Sequence, residues 1–394
     1  HHDKANQLNI SRIRNNIQIE KQNRGGNEML KTTGIHHISS VVGHAQRNVD
    51  FYASVLGLRL VKKTVNFDDK DRYHLYYGNA NGSTGLTTTF PFSDGDEGFV
   101  GAGQVGVTAY ATSSNAFVFW KARLAAFNIP YFEYERFGKK RIGFTDPDGL
   151  ELELIEGEFD QSHSWSFDQI TKEAALIGIQ QAVLYSKQPE ETLRVLTDIL
   201  GYERRAEDEE MIRLTVNDDL GGALELNKKQ RTPGKMGVGT VHHIAFKIQE
   251  ADLEAWREKI KQAGYRPTEI KNRKYFQAIY FREKGGILIE LSTVRPGILI
   301  DETVEELGGT LLIPPHYAEQ TEEILAHLMP VEVRKISKME HYGYRDRYEY
   351  ELLQRRNEMK KAMKWLKEIE KERPLSQEEA KELADIRTQI KNSK

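Results

Sequence analysis

The sequence predicts an α+β fold built from four copies of a strand–helix–strand–strand–strand unit and followed by a helical tail. Three observations carry this prediction. From residue 34 onward a pattern of apolar strands and one amphipathic helix recurs four times, with a period of roughly 50–70 residues. The string His-His-Ile opens a β-branched, apolar stretch twice, at His36-His37-Ile38 and His242-His243-Ile244. Residues 338–394 differ in kind, being charged throughout with sparse apolar residues at helical spacing.

The elements follow in order. Unit one starts with a strand at Ile35 and continues with a helix over 46–56, whose apolar residues are Val49, Phe51, Tyr52, Val55 and Leu56. Strands over 58–65, 73–77 and 85–90 complete it. Unit two has strands from 104 to 110 and at 150–154, with its helix near 116–127. Unit three has strands at 179–185 and 223–226 around a helix over 190–200. Unit four has strands at 241–248 and 286–291 around a helix over 252–263. One such unit cannot bury its sheet alone, so units must pair. After Thr293 an acidic segment and a helix over 319–328 read as a closing arm over 301–337. In the tail, Leu352, Met359, Met363, Leu366 and Ile369 mark one helix, Pro374 breaks it, and Ser376 with Glu379 forms a capping box for a second. The expected division is a leader or tag remnant over 1–28, units one and two over 29–160, units three and four over 170–300, the arm, and a helical hairpin over 338–394.

Composition removes several functions. A chain of 394 residues is too long for one ordinary core. With 56 basic and 59 acidic residues the net charge is −3, which gives no electrostatic footprint for nucleic acid or an anionic membrane. There is no cysteine, which excludes disulfides, zinc fingers and thiol catalysis, so any metal must be held by nitrogen and oxygen. No apolar run approaches the ~18 residues of a membrane span. A cytoplasmic protein is expected, and the tail suits self-association into a homo-oligomer.

The chemistry concentrates in the doubled histidines and in Gly285-Gly286-Ile287-Leu288-Ile289-Glu290-Leu291, a strand with one carboxylate in an apolar run. Two imidazoles and one carboxylate are the ligand set of a non-haem metal site with open positions, suited to Fe(II), with Mn(II) as the alternative. A buried carboxylate is costly unless it is neutralised or meets a cation. Side chains alternate along a strand, so His36 and His242 are expected to point away from the metal unless the strands bend.

The order of elements resembles the βαβββ module of the vicinal oxygen chelate superfamily. The resemblance implies that two modules close a cupped, barrel-like domain and that ligands come from first and last strands. At the first-strand position the four modules carry His37, Val107, Gln181 and His243; at the last-strand position, Thr89, Glu153, Leu226 and Glu290. Only modules one and four can supply His37, His243 and Glu290 together, so module one is expected to pair with four and two with three.

The strings Leu58-Arg59-Leu60-Val61-Lys62-Lys63-Thr64-Val65-Asn66-Phe67-Asp68-Asp69, Tyr73-His74-Leu75-Tyr76-Tyr77-Gly78 and Asn272-Arg273-Lys274-Tyr275-Phe276 are similar to the hydroquinone-type ring-cleaving dioxygenases of that superfamily. This likeness runs over about residues 30–335 and does not reach the tails. It implies Fe(II) held by His37, His243 and Glu290, with outer roles for His36, His242, Arg273, Tyr280 and Ser39. The implied partners are a small hydroquinone- or catechol-type aromatic and O2. Two rival functions remain in the sequence: Mn(II)-dependent thiol transfer or glyoxalase-like chemistry on the same ligands, and metal-free sequestration of an aromatic compound.

Overall fold

The computed structural model describes residues 30–83, 85–339 and 347–392; the leader expected over 1–28 lies outside the described residues. Module one consists of β1 (Ile35–Val42), α1 (Ala45–Val49, continued by π-helical turns Asp50–Val55), β2 (Arg59–Val65), β3 (Tyr73–Gly78) and β4 (Leu86–Pro91). Module two consists of β5 (Gln104–Thr112), α2 (Phe117–Ala126), β6 (Tyr131–Arg136), β7 (Lys139–Thr145) and β8 (Glu151–Glu156). In module three, β9 (Gly178–Tyr185) leads to α3 (Pro189–Arg194, with π-helical turns Val195–Ile199), β10 (Glu203–Glu207), β11 (Met211–Thr215) and β12 (Ala223–Asn227). Module four has β13 (Thr240–Ile248), α4 (Leu253–Gln262), β14 (Lys271–Asn272), β15 (Gln277–Arg282) and β16 (Leu288–Thr293).

Two sheets result. One runs β14-β15-β16-β13-β1-β4-β3-β2-β17, where β17 is the short strand Leu311–Leu312, and the other β10-β11-β12-β9-β5-β8-β7-β6. Each therefore joins two modules through antiparallel first strands, β1 with β13 and β5 with β9. Each first strand also pairs in parallel with the last strand of its own module. Module one meets module four and two meets three, the pairing that the ligand distribution predicts.

Alternation decides which side chains enter each cup. On β3 and β4, Tyr77 and Thr89 both donate to Asn48 Oδ1 of α1 at 2.8 Å, so they face the helix. Their neighbours Tyr76 and Thr88 face the other way, into the cup. The helices cover the outer faces because their apolar residues recur at helical spacing; in α4, Leu253, Trp256 and Ile260 are buried while Glu254, Arg257, Glu258 and Lys259 between them carry charge. Pro189 starts α3, where a missing N–H costs nothing. The chain enters β1 through Gly34 at φ +109°, passing so close to module three that an added Cβ would lie 2.9 Å from the Gly221 carbonyl oxygen.

The closing arm covers the first cup. β17 (Leu311–Leu312) adds to β2 in parallel, and Ile298 and Leu307 pack on Val61, Tyr76, Tyr275 and Phe276. Lys62 on β2 is fully buried against Asp301 and Glu302 of the arm, at 2.5 and 2.6 Å. Helix α5 (Thr321–His327) follows. The tail forms α6 (Arg347–Glu372) and α7 (Gln377–Asn392), closed on a small core of Leu366, Leu383 and Ile386. The capping box is present: Glu379 N donates to Ser376 Oγ at 3.2 Å, and Ser376 N donates to Glu379 Oε2 at 2.8 Å. Among the described residues no helix is long and apolar enough to cross a membrane.

Candidate metal centre

Two β-bulges build the site. In the β1–β13 ladder, Ile35 pairs with Phe246 but His37 with Ala245; Ser39 pairs with His243 but Ser40 with Val241. The residues left without partners are His36 and His242. A bulge inserts one residue and interrupts alternation, so neighbouring side chains can share a face. This corrects the expectation that His36 and His242 point away. His36 Nδ1 lies 2.8 Å from His37 Nδ1, and His242 Nδ1 lies 2.8 Å from His243 Nδ1.

The other edges of the inner rings converge on Glu290, which β16 presents beside β13. His243 Nε2 is 2.9 Å and His37 Nε2 3.3 Å from Glu290 Oε2, and the two Nε2 atoms are 3.1 Å apart. All three residues are buried. Among the described residues they are the one group of three or more His, Cys, Asp or Glu whose ligand atoms could share an ion. Three ligand atoms held ~2.1 Å from one ion at right angles are ~3.0 Å apart, so the set fits three adjacent octahedral positions. The carboxylate is also prepared for a cation. Its Oε1 accepts from Ser292 Oγ at 2.6 Å, whereas Oε2 is buried without a hydrogen bond. Burial pushes the Glu290 carboxyl up, but the His37 and His243 rings hold it well below the usual range. Burial also pulls His243 down, which keeps its ring neutral and able to ligate.

Each outer histidine fixes an inner one. Were His37 and His243 to ligate an ion through Nε2, their Nδ1 atoms would carry the proton and the outer rings would accept it. Burial lowers His36 to about 3 and His242 to about 4, so both remain neutral acceptors. Tyr280 stands directly opposite Glu290 across β15–β16, its ring edge-on to His243 with centroids 5.9 Å apart. Burial and the Glu290 charge push its phenol well above the usual range. Arg273 Nε donates to the Tyr280 hydroxyl at 3.2 Å, and its Nη1 donates to Asp68 at 3.0 Å. Asp68 is 76 % exposed, so this pair sits at the rim. Phe276 packs against His36 and His37, with centroids 4.9 and 5.3 Å away.

Ser39 is buried on the cup face, but its Oγ hydrogen-bonds Thr88 Oγ1 at 2.6 Å rather than a triad atom. Thr88 itself corrects the module alignment. Glu290 pairs with Ala245, two residues after His243; the residue that pairs with Ser39, two after His37, is Thr88. Thr89 points to α1. In module three the same register places Glu225, not Leu226, opposite Val183. Both errors are one-residue slips, which in a strand exchange the two faces. Sequence reasoning also missed His74, whose Nε2 lies 3.0 Å from Thr88 Oγ1 and whose ring packs on Phe90. Its alternation with Tyr76 was the available signal.

Comparison with known proteins agrees with this architecture. The family described as "Glyoxalase/Bleomycin resistance protein/Dioxygenase superfamily" matches residues 34–154 and 178–291. "Putative ring-cleaving dioxygenase MhqO" of Bacillus subtilis (strain 168) is 45% identical over 308 residues, spanning 78% of this chain and 99% of that protein. "Chlorohydroquinone/hydroquinone 1,2-dioxygenase" of Sphingobium indicum is 34% identical over 310 residues, covering 75% of this chain and 95% of that one. A crystal structure from Bacillus subtilis superposes with a TM-score of 0.76 at 44% identity, over 78% of this chain and 100% of the other. Glyoxalase I from Zea mays shares the fold alone, with a TM-score of 0.50 at 15% identity over 66% of this chain and 92% of that one.

Proposed function

Because the chain belongs to the glyoxalase/bleomycin resistance protein/dioxygenase superfamily, we propose that it is an Fe(II)-dependent dioxygenase that inserts O2 into a hydroquinone- or catechol-type ring. Its duty would be aromatic catabolism or quinone detoxification. The observation that carries this reading is the convergence of His37, His243 and the unsatisfied Glu290 Oε2 in a cup walled by Phe90, Phe276, Tyr76 and Tyr280. His37, His243 and Glu290 would hold the iron, which when bound would supply open positions for the aromatic oxygen and O2 and a path for electrons between them.

The chain's own groups do the rest. His36 and His242 lock the tautomers of the two ligands, so their lone pairs face the site before substrate arrives. Tyr280 keeps its proton at neutral pH and stands beside Glu290, which makes it the proton donor of choice. His242 already spends Nδ1 on His243 and acts as a positioning residue. Arg273 adds a fixed positive charge next to the Tyr280 oxygen, where negative charge develops as the ring opens. Phe276 and Phe90 offer faces to an aromatic substrate and exclude water.

The test is oxygen uptake by protein loaded anaerobically with Fe(II), assayed across substituted hydroquinones and catechols. Stoichiometric uptake with loss of the aromatic chromophore is expected. Iron-loaded protein that binds such compounds without consuming O2 would refute the reading.

A further inference from the structure

The inner wall of the first cup carries a row of groups that the chemistry above leaves unused. Ser39 Oγ is 2.6 Å from Thr88 Oγ1, and Thr88 Oγ1 is 3.0 Å from His74 Nε2. His74 Nδ1 is in turn 2.8 Å from the Tyr76 hydroxyl. Ser39 and Thr88 have no solvent exposure, and Tyr76 has 2%. His74 keeps some solvent contact at the cup wall while protein packs around it; burial pulls its imidazole well below the usual range, so the ring is neutral. A neutral imidazole has one N–H and one lone pair, and here each faces a hydroxyl.

The two ends of the row are informative. At one end Ser39 lies two residues after His37 and directly opposite His243. At the other, Tyr76 lines a cavity of about 230 Å³ that also reaches His36 and His37 and is walled by Asn81, Ser83 and Phe276. The row is also peculiar to module one. By register, modules two, three and four carry Arg141, Met211 and Ala278 where module one has His74. Holding a last strand to its neighbour therefore does not require it.

We propose that Ser39, Thr88, His74 and Tyr76 form a proton relay that carries the hydroxyl proton of the aromatic substrate from the metal triad to the cavity at Tyr76. This rests on the dioxygenase reading. The substrate O–H bond breaks and its electron pair stays on the substrate oxygen. The proton adds to Ser39 Oγ as the Ser39 hydroxyl proton moves to Thr88 Oγ1. The Thr88 proton moves to His74 Nε2, the His74 Nδ1 proton moves to the Tyr76 oxygen, and the Tyr76 proton passes to solvent water in the cavity. Every group ends with the number of protons it began with, and no electron leaves the row. Rotation of the hydroxyls and exchange of the imidazole tautomer reset it.

The discriminating variant is His74→Gln in the Fe(II)-loaded protein. A glutamine amide can donate and accept hydrogen bonds, so it satisfies a structural role, but it does not pass a proton from one end to the other. The expected result is a kcat about 10²-fold lower, with iron content and KM for the aromatic unchanged. The curved dependence of kcat on deuterium fraction expected of the wild type should also straighten. Tyr76→Phe, which cuts the row at its far end, should do the same. A His74→Gln protein with wild-type kcat overturns the relay, as does one whose whole deficit is lost iron while Tyr76→Phe remains fast. Wild-type protein that takes up no O2 with any hydroquinone or catechol would instead overturn the dioxygenase reading.

Discussion

The two cups share one backbone plan and treat a buried carboxylate in opposite ways. At equivalent positions the first cup has His37, His243, Thr88 and Glu290, and the second has Val107, Gln181, Glu153 and Glu225. In the second, the fully buried Arg141 fills the centre. Its guanidinium lies 3.0 Å from Glu153 and 2.6 Å from Glu225, and Arg136 donates to Glu225 at 2.7 Å. The Tyr134 hydroxyl donates to Glu153. Carboxylates taken out of water need positive charge. The second cup supplies it from the chain and is sealed. The first supplies two imidazole nitrogens and leaves Glu290 Oε2 unsatisfied, a set of groups compatible with a cation from solution.

The largest effect should come from breaking the side of the comparison that lacks its own cation. Glu290→Gln keeps the shape of the side chain and removes the charge. Metal affinity should fall by at least ~100-fold, and O2 uptake with it. Iron content measured after anaerobic loading and desalting decides the matter: stoichiometric iron in the variant would show that the triad is not the site.

The converse experiment is Arg141→Ala. It leaves Glu153 and Glu225 in a dry cup with only Arg136 and the more distant Arg213, 3.8 Å from Glu225, as cations, and removing one partner from a buried ionic network costs about 3–5 kcal/mol. Denaturant unfolding should show that loss, while turnover per bound iron in the first cup stays near wild type. Replacing Arg141, Glu153 and Glu225 together by apolar residues of similar volume should recover most of the stability. If Arg141→Ala is neutral on its own, the network is not what closes the second cup.

Much of this contrast is legible in the sequence, and the gaps have physical causes. The pairing of module one with four follows from which modules carry histidine and glutamate, because ligands must meet wherever the chain takes them. The bulges at His36 and His242 are not legible, since a bulge is a property of two strands and not of either sequence. The slips at Thr88 and Glu225 arise because runs such as Thr87-Thr88-Thr89 give alternation nothing to hold. Arg141 is invisible for a related reason: a lone arginine in a half-polar strand reads as a surface residue until β7 is placed against β12's carboxylate. His74 likewise reads as an ordinary core residue until its three neighbours are known.

The bulges supply the next sharpening. The second cup has them too, leaving out Gly106 and Gln180, but no ring there orients a ligand. His36→Phe or His242→Phe should therefore keep the aromatic packing and lose only the Nδ1 acceptor. A loss of metal affinity or activity of about 10–100-fold is expected, with little change in unfolding free energy. Equal loss of stability and affinity would mean that the outer histidines support the strand rather than the ligand.

The smallest effect separates the cups by pH in the metal-free protein. Burial, with the His37 and His243 rings, keeps the folded His74 neutral well below its ordinary 6.5, whereas the unfolded chain takes up a proton there. Acid then favours the unfolded state, so this stability is complete above pH 6.5 and is lost as pH falls. Glu225 behaves alike from a lower starting point. Burial pushes it up, but Arg141 and Arg136 outweigh burial and hold it below 4.5, so its contribution is complete above pH 4.5 and is lost only below that. One group changes stability by at most ~1.4 kcal/mol per pH unit. The difference in unfolding free energy between wild type and His74→Phe should hence slope between pH 4.5 and 6.5, and that between wild type and Glu225→Gln only below 4.5. A flat His74→Phe difference across the upper window would mean that the ring is charged in the folded protein, and the electrostatic distinction between the two cups would fail with it.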